Sequence, residues 1–416
     1  DALPITVNSL AIDAHGNLYA GGDFISAGGI EVNRVAKWNG HTWQPLLTGV
    51  DSIVHSLILD GQGNLYVGGN FRTADGVDAK SIAKWDGVRW SSLGDGMNSA
   101  VFALAIGQDG SLYAGGLFNT AGGISANHIA RWRGSVWSSL GLGTNDTVNS
   151  LAVDRAGQVY AGGSFENAGG GTAKGIARWD GNHWNSVGNG VSSIDGAQVR
   201  AIAVDDANTL YIGGLFEIAG VTQANNIAKW QGNGWQALGS GVDSVVDALQ
   251  IGPDGHLYAG GSFSTAGNRP SVGIALWGSV DRQCGLTTSS YSFLASGRPV
   301  VVNIRVPGTI DCIGVEAFNR VHTWATPEQA TDHYWEITAT SSTGHPATGY
   351  TVDLTLPTTF TPDAEDTLCR YADATWNCAA SSFSASNKTI TRNGVNHLSS
   401  WTIGNSGQSW YLPYVP

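Results

Sequence analysis

Charged side chains are sparse in this sequence. They make up 13 % of its 416 residues, while hydrophobic residues stand at 42 %. Intrinsic disorder requires the opposite balance and is excluded. What charge there is runs negative, with 21 Lys and Arg against 33 Asp and Glu, a net of −12. Like charges repel, so neither nucleic acid nor an anionic lipid surface is an expected partner. No apolar run approaches the roughly 18 residues of a membrane-spanning helix, so no membrane insertion is expected. Cysteine is missing from the first 283 residues; all four, Cys284, Cys312, Cys369 and Cys378, lie in the last third. Missing too are G-x-S-x-G and H-E-x-x-H, the spacings that carry serine and zinc hydrolase chemistry. No segment sustains a 3.6-residue apolar period, so helix is not expected.

What the sequence has in abundance is a repeat. Tyr19, Tyr66, Tyr113 and Tyr160 stand 47 residues apart; Tyr211 follows after 51 and Tyr258 after 47. Trp38, Trp85, Trp132, Trp179, Trp230 and Trp277 keep the same intervals. A second Trp follows five residues after each of the first five: Trp43, Trp90, Trp137, Trp184 and Trp235. Glycine, 58 residues in all, recurs at the turns. Within the first copy, Val7 to Ile12 alternates, which sets Asn8, Leu10 and Ile12 on one face and Ser9 and Ala11 on the other. Asp13 to Gly16 supplies turn chemistry, and Leu18 to Phe24 reads as a second strand. Arg34 to Trp38 reads as a third and Trp43 to Leu47 as a fourth, joined at Asn39-Gly40.

Four strands in about 47 residues, repeated six times, predict the blades of a β-propeller. The expected fold is therefore all-β, a six-bladed β-propeller over residues 1–280 followed by a C-terminal antiparallel β-sandwich. Its copies begin near residues 7, 54, 101, 148, 199 and 246. The sixth copy lacks a second Trp and a fourth strand, so residues 1–5 are expected to complete blade six and close the ring. Closure would shield sheet edges, and Pro4 suits an outer strand.

The signature L-Y-x-G-G-x-F…A-G-G…N-x-I-A-x-W-x-G-x-x-W resembles the propeller repeats of the fungal cortical cell-polarity marker and of secreted bacterial relatives. More distantly it resembles kelch and galactose-oxidase propellers. The resemblance covers about two thirds of the chain. It implies an extracellular propeller with a binding or structural role, and it carries over no catalytic residue.

After residue 280 the repeat stops. Residues 281–290 read as a linker and 291–416 as a β-sandwich, with strand signals separated by Gly, Pro and Asn clusters. The order Tyr334-Trp-Glu-Ile, Leu368-Cys-Arg-Tyr, Trp376-Asn-Cys and Leu398-Ser-Ser-Trp resembles modules that end secreted bacterial proteins. That implies export and display. A chain opening at Asp1 rather than Met is expected to have lost an export signal. Four cysteines allow three pairings; the eight residues between Cys369 and Cys378 suit a hairpin staple, which leaves Cys284 for Cys312. Zinc is the competing reading, but neither spacing is C-x-x-C, and no metal or cofactor is expected.

Candidate ligand-binding residues lie where the repeat breaks its own rule. The position after the first Val of each copy holds Asn8, His55, Phe102, Asn149, Arg200 and Asp247, at the mouth of the expected channel. On the same face, the approach to the third strand holds Asn33, Lys80, Asn127, Lys174, Asn225 and Val272. His55, Arg200 and Asp247 are the combination that such a mouth could bring together for catalysis. The tryptophans read as packing between blades, with a ring of sugar-stacking platforms as the rival. Asp13, Asp60 and Asp154 open Asp-x-x-Gly turns that resemble calcium-loop fragments, but no further carboxylates follow at ligand spacing.

The expected function is that of a non-catalytic extracellular or cell-surface structural or adhesive protein, a candidate subunit of a surface layer or filament. A propeller lectin is the alternative, and a hydrolase or lyase at the channel mouth the third reading. Partners are expected to be further copies of the chain or surface glycans and proteins. The uncharged tail with Trp410, Tyr411, Leu412 and Tyr414 either forms the last strand of its own sheet or docks on a neighbouring subunit. Because every cysteine lies beyond residue 283, reduction is expected to loosen the C-terminal domain and leave the repeats folded. Calorimetry with and without reductant should then show one shifted and one unshifted transition; a joint shift of both would contradict this.

Overall fold

The computed structural model describes residues 6–277 apart from 195, 232, 253–255 and 268. Beyond them it describes 281–284, 289–295, 298–306, 312–318, 334–340, 351–357, 366–372, 375–379, 382–384, 389–395, 400–405 and 410–411. Every regular element among these is a strand or a turn. The chain divides into two compact units, Asp1–Ile251 with Leu257–Leu276, and Gly252–His256 with Trp277–Pro416.

The first unit is a run of six small antiparallel sheets, five of four strands and one of three. The second shows how each forms. Its inner strand, Val54–Leu59, turns through Asp60 and Gly63 into Leu65–Gly69. The Asp60 carboxylate accepts the backbone N–H groups of Gln62 and Asn64, closing the turn as an Asx motif. A short hairpin, Thr73–Ala74 with Val77–Asp78, then projects from the sheet before Ile82–Trp85 returns beside the second strand. That hairpin has no counterpart in the expected four-strand plan. The outer strand, Trp90–Ser92, pairs with the third so that Trp85 and Trp90 stand opposite, ring centroids 5.4 Å apart. These are the blades of a β-propeller.

Successive blades pack through one recurring contact. The first Val of each inner strand in copies two to six is fully buried, and its methyl seats on a glycine of the preceding blade. A Cβ added to Gly21 would lie 2.5 Å from Val54 Cγ1, and one on Gly68 would lie 2.6 Å from Val101 Cγ1. Each such Val or Leu contributes roughly 1.5–3 kcal/mol by leaving water. Phe71, Phe118, Phe165, Phe216 and Phe263 fill the bottom of the same layers and are almost wholly buried. At the outer end the indole N–H of Trp90, Trp137, Trp184 and Trp235 donates to a backbone carbonyl of the preceding blade: Leu46, Leu93, Leu140 and Val187. The tryptophans are thus held in the packing between blades, with their polar edge satisfied.

Strict alternation along the inner strand does not hold. A β-bulge interrupts all six copies between the first and third residue of the pattern Val-x-Ser or Val-x-Ala, as at Val54/Ser56. The bulge brings Val54 and Leu57, three residues apart, onto the same buried face. Asn8 accordingly does not share a simple face with Leu10 and Ile12.

The expected closure by residues 1–5 lies outside the described residues. Among the described residues blade six keeps three strands: Val246–Ile251, Leu257–Gly261 and Ile274–Trp277.

The second unit holds two antiparallel sheets. One runs in the order Asp281–Cys284, Cys312–Phe318, Tyr334–Thr340, Ser400–Asn405, Asp366–Ala372, Thr375–Ala379, Trp410–Tyr411. The other runs Ser290–Ala295, Arg298–Val306, Thr351–Pro357, Thr389–Val395, Ser382–Ser384. Val302, Ile304, Ile313, Val352 and Leu354 are buried. One expectation is corrected here. The stretch 281–290 is not a plain linker, because Asp281–Cys284 pairs along Cys312–Phe318 as a sheet strand. Of the two readings of the tail, the strand in its own sheet is the one described for Trp410 and Tyr411, which pair with Trp376 and Thr375; Leu412 and Tyr414 lie outside the described residues. The registers set Cys284 opposite Cys312 and Cys369 opposite Cys378.

The glycine contacts admit a direct test. Gly115 faces Val148 with 2.5 Å between a would-be Cβ and the Val148 methyl, and both belong to packed elements. Gly115→Ala is expected to cost about 1–3 kcal/mol in chemical denaturation of the first unit. An unchanged midpoint would contradict the packing argument.

Candidate functional site

The bulge decides what the variable residues of the inner strand can do. It turns the second residue of each copy out of the ladder, at the end of the strand where the connector from the preceding blade arrives. Those six residues are Asn8, His55, Phe102, Asn149, Arg200 and Asp247, and the structure joins four of them in two neighbouring pairs. Arg200 Nη1 stands 2.9 Å from Asp247 Oδ1 across adjacent blades. Both are partly exposed, so the pair adds only about 0–1 kcal/mol and serves mainly to orient the two side chains. His55 packs edge-on against Phe102, ring centroids 4.9 Å apart. Asn8 donates its side-chain amide to the Val54 carbonyl at 2.8 Å. No hydrogen bond or ring contact ties Asn149 to the other five among the described residues. Of the three residues that such a mouth could bring together, Arg200 and Asp247 meet each other, while His55 packs against Phe102.

Burial holds the His55 imidazole below its ordinary pKa, and the Asn70 side chain opposes that only in part. Its Nε2 is buried without a hydrogen-bond partner. A neutral imidazole is thus held against an aromatic edge, and burial and the Asn70 side chain are what set its proton affinity.

On this face a cleft of about 610 Å³ opens between blades two and three. Phe102, Asn70, Arg72, Lys80, Asn98 and Leu117 contribute to its wall. The equivalent cleft between blades five and six, about 470 Å³, carries Leu215, Glu217, Asn225 and Asp243 instead. One geometry thus presents two chemistries, basic and aromatic in the first, acidic in the second.

Two further features shape these clefts. The approach to the third strand passes through two consecutive left-handed residues, Asn33 and Arg34, Lys80 and Ser81, Asn225 and Asn226. Left-handed backbone favours Asn and Gly and strains Lys. Asn33, Asn127 and Asn225 justify their place structurally, since their amides donate to the connector carbonyls of Thr48, Leu142 and Ser240. Lys80 has no such bond and reaches toward Asp78 at 3.8 Å. The connector itself carries polar residues that sequence reasoning missed. The side chains of Asp51, Asn98, Asn145 and Asp243 each accept two backbone N–H groups of the following blade's hairpin. Their signal was a polar residue recurring two places after Gly49, Gly96, Gly143 and Gly241.

The Asp-x-x-Gly aspartates are turn formers. Asp13, Asp60 and Asp154, and Asp205 in the Asp-x-x-Asn turn of the fifth copy, each accept two backbone N–H groups and the hydroxyl of the tyrosine six residues on. Burial, with the Asp60 and Asp205 charges added, pushes Tyr66 and Tyr211 up to about 12. Among the described residues no group of three or more His, Cys, Asp or Glu side chains could hold a metal ion.

The chain has likenesses among known proteins. Residues 107–131 match a family described as a beta-propeller domain of unknown function, DUF5122. A search of curated proteins gives no match. Among solved structures, the chain is similar to the extracellular domain of the hybrid two-component system BT4673 from B. thetaiotaomicron, at 12 % identity and a TM-score of 0.39. That alignment covers 83 % of this chain and 52 % of the other, so the chain spans about half the length of that relative. A catalytically inactive virginiamycin B lyase from Staphylococcus aureus, with quinupristin, is similar at 12 % identity and a TM-score of 0.42, covering 65 % of this chain and 83 % of the lyase. A gluconolactonase from Xanthomonas campestris follows at 15 % identity and a TM-score of 0.33, covering 50 % and 68 %. Identities this low transfer no residue's role. No helix among the described residues is long and apolar enough to cross a membrane.

The His55 environment yields a pH dependence whose sign is set by burial. With the folded-state pKa below the ordinary 6.5, the unfolded chain takes up the proton first as pH falls. The stability that neutral His55 contributes is whole above about pH 6.5 and is lost as pH drops below that value toward the folded pKa. Melting temperatures between pH 7.5 and 5 should fall less steeply in His55→Phe than in the unaltered chain. Parallel profiles would contradict the assignment.

Proposed function

We propose that this chain is a non-catalytic extracellular or cell-surface protein with a structural or adhesive role, a repeating subunit of a surface layer or filament. The observation that carries the reading is how the bulged residues pair: Arg200 with Asp247, His55 with Phe102, Asn8 with a backbone carbonyl. Side chains that hold one another in place stiffen a surface, whereas catalysis needs a base, a nucleophile and a substrate position to converge. The second unit is read as a β-sandwich stapled by Cys284–Cys312 and Cys369–Cys378, whose opposed registers suit bridges formed in an oxidising compartment. The likeness of the repeats to the polarity-marker and kelch class fits the same role.

A lectin is the second reading, favoured by the cleft where Phe102 stands beside Arg72, Lys80 and Asn98. An aromatic ring with flanking donors is the common arrangement for stacking and holding a sugar. A hydrolase or lyase has the least support, because the His55 ring meets an aromatic edge and not a nucleophile.

Two binding measurements separate these readings: retention on isolated cell-envelope fractions, and an array of free oligosaccharides. The structural reading expects retention on the envelope with no saturable oligosaccharide binding. Saturable binding that Phe102→Ala abolishes would replace it with the lectin.

A further inference from the structure

The cleft between blades two and three is built from those two blades and the connector between them, and its volume of about 610 Å³ suits a small ligand. Blade two contributes two cations to it, Arg72 and Lys80, and blade three two apolar side chains, Phe102 and Leu117. At the places of the two cations the first copy holds Ile25 and Asn33 and the fifth holds Glu217 and Asn225; no other copy puts two cations there. Asp78 lies 3.8 Å from each of them, and all three side chains are open to solvent. Exposed ion pairs of that length hold their partners weakly. Both cations therefore stay available to a ligand, and one of the two positive charges is uncompensated.

What this cleft has little of is free hydrogen-bond acceptors. The Phe71 carbonyl accepts the N–H of Ser81, the Lys80 carbonyl that of Met97, and the Ala100 carbonyl that of Leu117. The Arg72 carbonyl accepts two, from Ala79 and Lys80. The side-chain oxygen of Asn98 is taken by the N–H groups of Asn119 and Thr120, and its amide donates to Asn119 Oδ1. The guanidinium and the ammonium that remain are donors only. A sugar brings hydroxyl protons that need acceptors, whereas a carboxylate needs donors alone. Lys80 also departs from its counterparts. Its backbone is left-handed, with φ 44°, where Asn33, Asn127 and Asn225 donate to the connector carbonyl fifteen residues on. A lysine keeps the strained backbone without that bond, so the position gives up a structural tie and gains a charge.

We infer that this cleft binds a carboxylate carried on an apolar group, the anion held by Arg72 and Lys80 and the apolar group against Phe102 and Leu117. The inference goes beyond the structural or adhesive role, to which it adds a ligand. Hydrogen bonds from a cation to a carboxylate are among the strong ones, and Arg offers two parallel donors for the two oxygens. The cleft between blades five and six supplies the contrast within the same molecule, since Glu217 and Asp243 stand where Arg72 and Asn98 do and repel an anion. A single uncompensated positive charge suits a single anionic group, and the net charge of −12 disfavours a polyanion. A free organic acid and the last residue of a peptide present the same chemistry, and the test separates them.

Titration calorimetry of the full chain with 3-phenylpropionate, with its uncharged amide and with N-acetylated Gly-Gly-Phe provides the test. The acid or the peptide should bind saturably, and the amide at least about tenfold more weakly than the acid, for want of its charge-assisted hydrogen bonds. Saturable binding of the free acid identifies a small organic acid as sufficient; binding of the peptide alone identifies the end of a chain. Lys80→Asn restores the residue of the first, third and fifth copies, so its melting temperature should be unchanged or raised while binding weakens about tenfold. Arg72→Gln, at an exposed side chain, should weaken binding likewise, and Glu217→Gln in the opposite cleft should leave it as it is. Failure of both acid and peptide to bind, equal binding of acid and amide, or full binding by folded Lys80→Asn would each overturn the inference. Saturable binding of an oligosaccharide in place of the acids would overturn it in favour of the lectin. Retention on the cell envelope without carboxylate binding would remove this inference and leave the adhesive role, and carboxylate binding without retention would do the reverse.

Discussion

The contact between a valine methyl and a glycine of the preceding blade is the constraint on which the rest of the propeller depends. A blade is too thin to bury its own side chains, and each sheet must give one face to its neighbour. With Gly21, Gly68, Gly115, Gly162 and Gly213 bare, the next inner strand sits directly on the backbone of the second strand. That close approach puts the serine hydroxyls of one inner strand within reach of the N–H groups of the next, and the indoles within reach of the carbonyls of the blade before. A side chain at any of these glycines would push the blades apart and break all three contacts together.

The bulge is the second consequence of the same packing. Valine and leucine must both face the preceding blade, yet a regular strand would send residues three apart to opposite sides. One extra residue corrects the phase, and that residue is left outside the ladder. Because it carries no packing duty, it is the position where the copies differ: an amide, an imidazole, a ring, a second amide, a guanidinium and a carboxylate. Variation at Asn8, His55, Phe102, Asn149, Arg200 and Asp247 is therefore a by-product of how the joint is built. The clefts beside it inherit their chemistry from which copies happen to be adjacent, basic beside Phe102 and acidic beside Asp243.

The same logic explains why the surface of this protein looks unlike that of most globular chains. Turn aspartates accept backbone N–H groups of their own turns, and connector residues such as Asp51 and Asn98 hold the next hairpin. The carboxylates and amides of the turns and connectors are thereby fixed in place by the backbone, while Arg72, Lys80 and Glu217 line the clefts.

Much of this was legible in the residues. Tyr and Trp at 47-residue intervals, Asp-x-x-Gly turns and the Trp38–Trp43 pairing follow from periodicity and turn chemistry, which are local and act within a few residues. The bulge was not legible, because alternation from Val7 to Ile12 reads equally well as a regular strand until a neighbouring blade shows which side is buried. Nor was the strand at Asp281–Cys284, whose partner at Cys312–Phe318 is distant in sequence. By itself the sequence determined the repeat, the turns and the aromatic pairs, since each depends on residues close together along the chain. Which bulged residues meet and which clefts are basic or acidic were decided only by the tertiary structure. Those depend on the distance between blades, and that distance is set by glycine and valine residues that belong to different copies.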